Sequence, residues 1–152
     1  MPNSRSTAGA TALRPAIYAG VAAAIVSIAA AVVIRFAPSA ETVAATVHLL
    51  LNTLLYATAG ALAARLGAAG WRAGMFAALV DALVGHAIAF LIIPAPDAST
   101  VSLPAGIEAT PGVLASMHLY GAMAGAAVAV VIGMIAGAIG GRAAGRARRL
   151  GG

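Results

Sequence analysis

Five polar side chains stand inside long apolar stretches of the chain. His48, Asn52 and Tyr56 follow one another at intervals of four residues, and Asp81 and His86 lie in the next apolar stretch. Residues four apart share one face of an α-helix, so the first three form a polar stripe. An aspartate at the middle of a bilayer costs about 2.5–3.5 kcal/mol even on a lenient scale. Asp81 is therefore the main candidate for chemistry, either as a carrier of protons or cations or as a hydrogen-bonding link between helices.

A short turn over residues 66–71 connects these two stretches and predicts which residues face each other. In an antiparallel hairpin that is symmetric about this turn, the paired positions are Tyr56 with Asp81, Asn52 with Gly85, and His48 with Ala89. We predict that the Tyr56 hydroxyl donates a hydrogen bond to Asp81 and that Gly85 makes room for Asn52.

The run Ala-Leu-Val-Asp-Ala-Leu, with Asp81 as its acid, is similar to the ion-carrying helix of the rotary ATPase proteolipids. The resemblance covers this one helix and implies that Asp81 carries an ion. The chain departs from that family because its hairpin lacks the glycine-rich partner helix and the polar loop.

The three histidines, His48, His86 and His118, lie at a similar depth in three predicted helices. Three imidazoles at one depth could ligate a metal ion, and two could hold a b-type haem. None belongs to a paired ligand motif. Asp81 and His86 are five residues apart, about 140° around an α-helix, so they should not share a face. A proton relay and simple hydrogen-bonded or interfacial histidines are the alternatives. We expect no bound cofactor, with haem b or a metal ion left open.

The residue sets of common catalytic sites are missing from the sequence. The chain has no cysteine, which excludes thiolate catalysis, disulfides and cysteine-ligated metals. Ser27 and Ser116 lack a histidine and a carboxylate at a recognised spacing, and the remaining acids are isolated. No phosphate-binding Gly-Lys-Ser/Thr loop occurs. We therefore expect a protein that is not an enzyme.

Composition predicts the elements that hold these residues. Of 152 residues, 62% are hydrophobic and only 9% are charged, whereas about a quarter of a soluble domain is charged. Four apolar runs are each long enough to cross a hydrocarbon core of about 30 Å. They predict an all-α integral membrane protein, a four-transmembrane-helix bundle within residues 14–141, with helices at about 16–35, 42–64, 73–93 and 113–141. The remaining segments are a disordered tail at 1–13, an outer loop at 94–112 and a basic cytoplasmic tail at 142–152.

The first helix has an alternative interpretation as a cleaved signal peptide, because Ala37-Pro38-Ser39 is a passable cleavage site. Its apolar run is longer than that of a usual signal peptide, and Arg35 intervenes before the site. We expect an uncleaved helix with Pro15 in its first turn, where proline is tolerated.

The basic residues, all arginines, predict the orientation. Arg65 and Arg72 flank the short turn and four arginines follow the last helix, whereas the long loop carries Asp97 and Glu108 and no basic residue. Basic loops stay in the cytoplasm, so both termini should be cytoplasmic in a plasma or inner membrane, with Arg35 as the one exception. The same arginines give the sequence its high pI. Because their placement at the helix ends is explained by orientation, we expect no nucleic-acid partner.

Small residues recur at every fourth position of the last helix: Gly121, Gly125, Ala129, Gly133, Gly137 and Gly141. In a membrane such a stripe allows close approach of another helix. Each step of four residues overshoots a full turn by about 40°, so the whole stripe cannot face one neighbour along a straight helix. Its two halves should meet different neighbours or one crossing helix, within the chain, between subunits, or both.

Three functional hypotheses follow from these observations. The first is a non-enzymatic helix-packing protein, either an accessory subunit of a membrane complex or a homo-oligomer. The second is a small transporter or channel component that uses Asp81, Tyr56, Asn52 and His48. The third is a haem- or metal-binding membrane subunit that uses the histidines. The expected partners are the lipid bilayer and either further copies of this chain or other membrane subunits.

Overall fold

A computed structural model describes residues 4–150, with side chains from residue 13 onward, and within them every regular element is helical. Helices α1 (Ser4–Phe36) and α2 (Glu41–Arg65) are joined by a 3₁₀ turn at Pro38–Ala40. Helix α3 (Gly70–Asp81), a π-helical turn (Ala82–His86) and α4 (Ala87–Ile92) form one rod, and α5 (Pro111–Leu150) closes the bundle. Four segments are long and apolar enough to cross a membrane: Leu13–Phe36, Pro38–Arg65, Gly70–Ile92 and Pro111–Leu150.

The two terminal helices extend beyond their predicted limits. Helix α1 begins at Ser4, inside the stretch predicted as a disordered tail, of which residues 1–3 lie outside the described part. Pro15 consequently lies in the helix interior rather than in its first turn. Helix α5 continues to Leu150 through most of the predicted basic tail, whose residues 151–152 are not described. Alanine and arginine, which are abundant in the second extension, are good helix formers.

The turn between α2 and α3 sets the register of the hairpin. Gly67 has φ +79°, a left-handed conformation that glycine adopts at little cost. The Ala68 and Gly67 amides donate to the carbonyl oxygens of Ala63 (2.9 Å) and Ala64 (3.1 Å). This pair of bonds is a Schellman motif, which ends α2 abruptly and returns the chain as α3. Tyr56 of α2 is thereby placed beside Asp81 of α3.

Backbone-to-backbone contact between glycines packs α5 against the hairpin at the end that carries Arg65 and Arg72, called here the arginine end. A Cβ added at Gly137 would meet backbone atoms of Gly70 and Gly74, and one added at Gly133 would meet Gly74 and Ala78. Arg148 donates to the carbonyl oxygen of Arg65, the last residue of α2. Small residues thus let the three helices approach closely at this end of the bundle.

Within residues 4–150, the first half of the glycine stripe has no such partner. A Cβ added at Gly121 or Gly125 would meet no atom within 4 Å. Both glycines border a cavity of about 530 Å³ at the opposite end of the bundle, called here the proline end because Pro94, Pro96 and Pro104 lie in its loop. Helix α5 therefore packs tightly along one half and leaves a space along the other.

Candidate functional site

Asp81 lies at the middle of the Gly70–Ile92 rod and is completely buried. Three side chains donate hydrogen bonds to its carboxylate. Ser27 of α1 donates to Oδ1 (2.7 Å), while Asn52 (2.9 Å) and Tyr56 (2.6 Å) of α2 donate to Oδ2. Asp81 thus ties three helices together, and the hydrogen bond predicted between Tyr56 and Asp81 is present.

Gly85 makes this convergence possible. A Cβ added there would clash with Asp81 Oδ1 and would lie 2.8 Å from Ala24 Cα and 3.0 Å from Ser27 Cβ. The atoms nearest to a Cβ at Gly85 belong to the aspartate itself and to α1, which crosses the hairpin at this level. The role predicted for Gly85 toward Asn52 stays a prediction.

His48 extends the cluster from Asp81 toward the proline end. Its Nε2 lies 2.9 Å from Ser27 Oγ and 3.0 Å from Asn52 Nδ2. Ser27 uses its one proton to donate to Asp81, so the bond to Ser27 requires His48 Nε2–H as its donor, and His48 is connected to the carboxylate through Ser27. The Asn52 amide, itself a donor to Asp81, is a neighbour of His48 rather than a second bridge. Hydrogen-bonded chains of this kind can pass a proton between their ends.

His86 also lies beside Asp81, contrary to the prediction that the two do not share a face. The distance from His86 Nδ1 to Asp81 Oδ2 is 3.7 Å. The prediction failed because Ala82–His86 forms a π-helical turn rather than an α-helix. A π-helix places residue i+5, rather than i+4, one turn above residue i, and such turns are frequent at functional sites.

The cluster has two unsatisfied polar atoms. Among the described side chains, Asn52 Oδ1 and His86 Nδ1 are buried without a hydrogen-bond partner. His48 and His86 have ring centroids 6.0 Å apart, and both line a small cavity of about 180 Å³ together with Asn52, Tyr56 and Gly125. The cluster therefore borders a cavity on its histidine side. Two of its polar atoms remain free to form further hydrogen bonds.

Toward the arginine end the same helices form an apolar seal. The buried side chains there are alanines, namely Ala59, Ala63, Ala73 and Ala77. Apart from Tyr56, the buried polar side chains of the described region are Ser27, Asn52 and Asp81. The polar cluster is thus closed on one side by small apolar residues and open on the other.

His118 does not join the other two histidines. Its Nε2–H donates to the Phe90 carbonyl oxygen (3.2 Å), and its ring stacks on Phe90 with centroids 4.4 Å apart. Over residues 4–150, no group of three or more histidine and acidic side chains is arranged to hold a metal ion. The predicted three-histidine ligand set is not assembled, because equal depth along three helices does not fix the direction of each side chain. A haem held by two histidines stays a prediction.

Comparison with family models, with curated proteins and with solved structures finds no match. Function must therefore be inferred from the geometry of the cluster.

Sequence reasoning missed Ser27 as a member of the cluster. Ser27 and Tyr18 are the two polar residues in the apolar run from Ala16 to Ile34. A small hydroxyl side chain near the middle of such a run was the available signal. The contact of Ser27 with Asp81 also ties α1 to the hairpin.

Proposed function

We propose that the chain is an integral membrane protein with four spanning helices and both termini in the cytoplasm. Large apolar side chains cover its outside, including Leu83 (75% exposed) and Leu91 (80% exposed). A surface of this kind suits contact with lipid. Arg65, Arg72 and the arginines of α5 gather at one end, which supports a cytoplasmic location for that end.

We further propose that the buried cluster binds and releases a proton, so that the protein serves as a small proton-handling component of membrane transport rather than as an enzyme. The observation that carries this proposal is the connection of Asp81 to two histidines that line a cavity. Protons enter from the proline end, and His48 and His86 pass them to Asp81. The apolar seal prevents open conduction, so release on the other side requires a second arrangement of the helices.

A proton suits the cluster better than a metal cation. Both carboxylate oxygens of Asp81 already accept hydrogen bonds, and the unpartnered buried oxygen is Asn52 Oδ1. Hard cations require about six oxygen ligands. Proton transfer needs only hydrogen-bonded neighbours, which the cluster supplies.

The proposal is tested by proton flux into proteoliposomes that contain a pH-sensitive dye. With a potassium diffusion potential negative inside, the purified protein should acidify the lumen, and Asp81→Asn should reduce the rate to that of protein-free vesicles. Asparagine keeps the shape of aspartate but cannot carry the proton. Asp97→Asn, which removes an exposed carboxylate from the loop, is the matched control and should conduct normally. Absence of flux in the wild type, or normal flux in Asp81→Asn, would refute the proposal.

A second candidate function is that of a helix-packing subunit, in a homo-oligomer or in a larger complex. The specific observation is the small-residue face at Gly121 and Gly125, which contacts no other helix among the described residues. Native mass spectrometry of the protein extracted from its own membrane should then show further copies or foreign subunits. A bare monomer, stable on dilution, would contradict this candidate and leave proton handling alone.

A further inference from the structure

The cavity between α4 and α5 has the size and lining of a small-molecule site. Its volume of about 530 Å³ lies within the range of about 300–1,000 Å³ that is usual for ligand pockets. Its principal lining residues are His86, Phe90, Met117, His118, Gly121 and Gly125. Two histidines are the polar side chains of this lining, and no acidic or arginine side chain contributes to it. The lining therefore suits a neutral and largely apolar molecule.

One wall of the cavity is aromatic and rigid. Phe90 and His118 stack with an interplanar angle of 20°, and the His118 ring is fixed by its hydrogen bond to the Phe90 carbonyl oxygen. Flat aromatic groups gain energy from offset or edge contacts with such rings beyond the burial of area. The sulfur of Met117, which also lines the cavity, favours aromatic contacts as well. An aromatic ring is the group that this wall would recognise.

His86 supplies a hydrogen-bond acceptor at the inner end. Its Nδ1 faces Asp81 Oδ2 at 3.7 Å, and a carboxylate on that side favours the tautomer with the proton on Nδ1. The Nε2 atom, on the opposite edge of the ring, is then an acceptor. Because His86 lines both cavities and its side chain is 19% exposed, this edge is accessible to a ligand that carries a hydroxyl donor.

We propose that this cavity binds a lipid-soluble phenol or hydroquinone, that is, an aromatic ring with a hydroxyl group on it. The ring lies against Phe90 and His118, and the hydroxyl donates to His86 Nε2. The proposal concerns reversible binding, with no bond made or broken. It goes beyond proton handling and stands without it, because occupancy of the cavity does not require flux.

The chain offers a variant that fills the cavity without disturbing the bundle. Gly121 lines the cavity and has no atom within 4 Å of an added Cβ, so Gly121→Leu places its side chain in the ligand space. Gly145 lies on the same helix with equally open surroundings but does not line the cavity. Gly145→Leu is therefore the matched control for the same change of residue.

The test is a titration of the full-length, ¹⁵N-histidine-labelled protein in detergent micelles, followed by NMR of the three imidazoles. The probe is 4-octylphenol, compared with its methyl ether, 4-octylanisole, which has the same shape but no hydroxyl donor. We expect a saturable shift of the His86 ring nitrogens with the phenol and about tenfold weaker binding of the ether. The shift should disappear in Gly121→Leu and persist in Gly145→Leu.

Equal affinity for the phenol and the ether would overturn the assignment of the hydroxyl to His86. An unchanged titration in Gly121→Leu, or no saturable shift in the wild type, would overturn the site. A His86 shift that depends on protein concentration without any probe would show that a second copy occupies the cavity, which also contradicts the proposal. Proton flux is measured separately, so its failure leaves this result intact.

Discussion

Replacing Gly137 by leucine is expected to prevent the four helices from assembling. A Cβ at this position would lie 2.6 Å from Gly70 O, 2.8 Å from Gly74 Cα and 2.9 Å from Gly74 N. These are backbone atoms of a helix, which cannot turn aside as a side chain does. Overpacking a core normally costs about 1–3 kcal/mol, and a backbone clash along the main contact of α5 should exceed that range.

The measurement is thermal unfolding in detergent, followed by circular dichroism and by size-exclusion chromatography. We expect Gly137→Leu to lose the cooperative transition and the monodisperse peak. Gly121→Leu makes the same change on the same helix where an added Cβ meets nothing within 4 Å, and it should unfold like the wild type. Equal behaviour of the two variants would show that α5 does not pack through Gly137.

Asp81→Leu is expected to destabilise the bundle strongly, by roughly 3–6 kcal/mol. The carboxylate is the acceptor for Ser27, Asn52 and Tyr56. A leucine leaves these buried donors unsatisfied, and each costs about 1–3 kcal/mol when no water reaches it. Asp81→Asn keeps one oxygen acceptor in the same place and should lose only about 1–2 kcal/mol. Thermal unfolding of both variants in the same detergent measures the difference.

A double variant shows how much of the destabilisation by Asp81→Leu comes from hydrogen-bond donors that have lost their acceptor. Tyr56→Phe removes the hydroxyl that donates at 2.6 Å. Introduced into Asp81→Leu, it should restore about 1 kcal/mol, whereas in the wild type it should be destabilising. If Asp81→Leu is as stable as the wild type, the bundle repacks around an apolar residue and the hydrogen bonds contribute nothing net to stability.

The pairing of Tyr56 with Asp81 could be predicted because a short turn leaves an antiparallel hairpin almost no freedom of register. Residues that are equidistant from such a turn must meet. The number of helices was likewise evident from the apolar runs, since four segments have the length and hydropathy to cross a membrane. Both features depend only on residues that are close in sequence.

The remaining members of the cluster depend on contacts between distant segments. The position of Ser27 follows from the way α1 crosses the hairpin, 54 residues from Asp81 in sequence. His86 joins the cluster through a π-helical turn, and nothing in the local sequence distinguishes Ala82–His86 from an ordinary apolar helix. His118 was grouped by depth, but its direction is determined by its contacts with Phe90. Periodicity rules assume a regular helix and say nothing about neighbouring helices.

The uneven packing of α5 has a mechanical consequence. At Gly133 and Gly137, α5 lies directly against the backbone of α3, with no long side chain between the two helices. A rotation of α5 would therefore pivot about this contact. Gly121 lies twelve residues beyond Gly133, about 18 Å along the axis. A rotation of about 5° about that contact would displace Gly121 by about 1.5 Å, roughly the length of one carbon–carbon bond, by the same helical geometry. The tilt of α5 therefore contributes to the width of the cavity at His86, together with the hydrogen bond from His118 of α5 to the Phe90 carbonyl oxygen of α4.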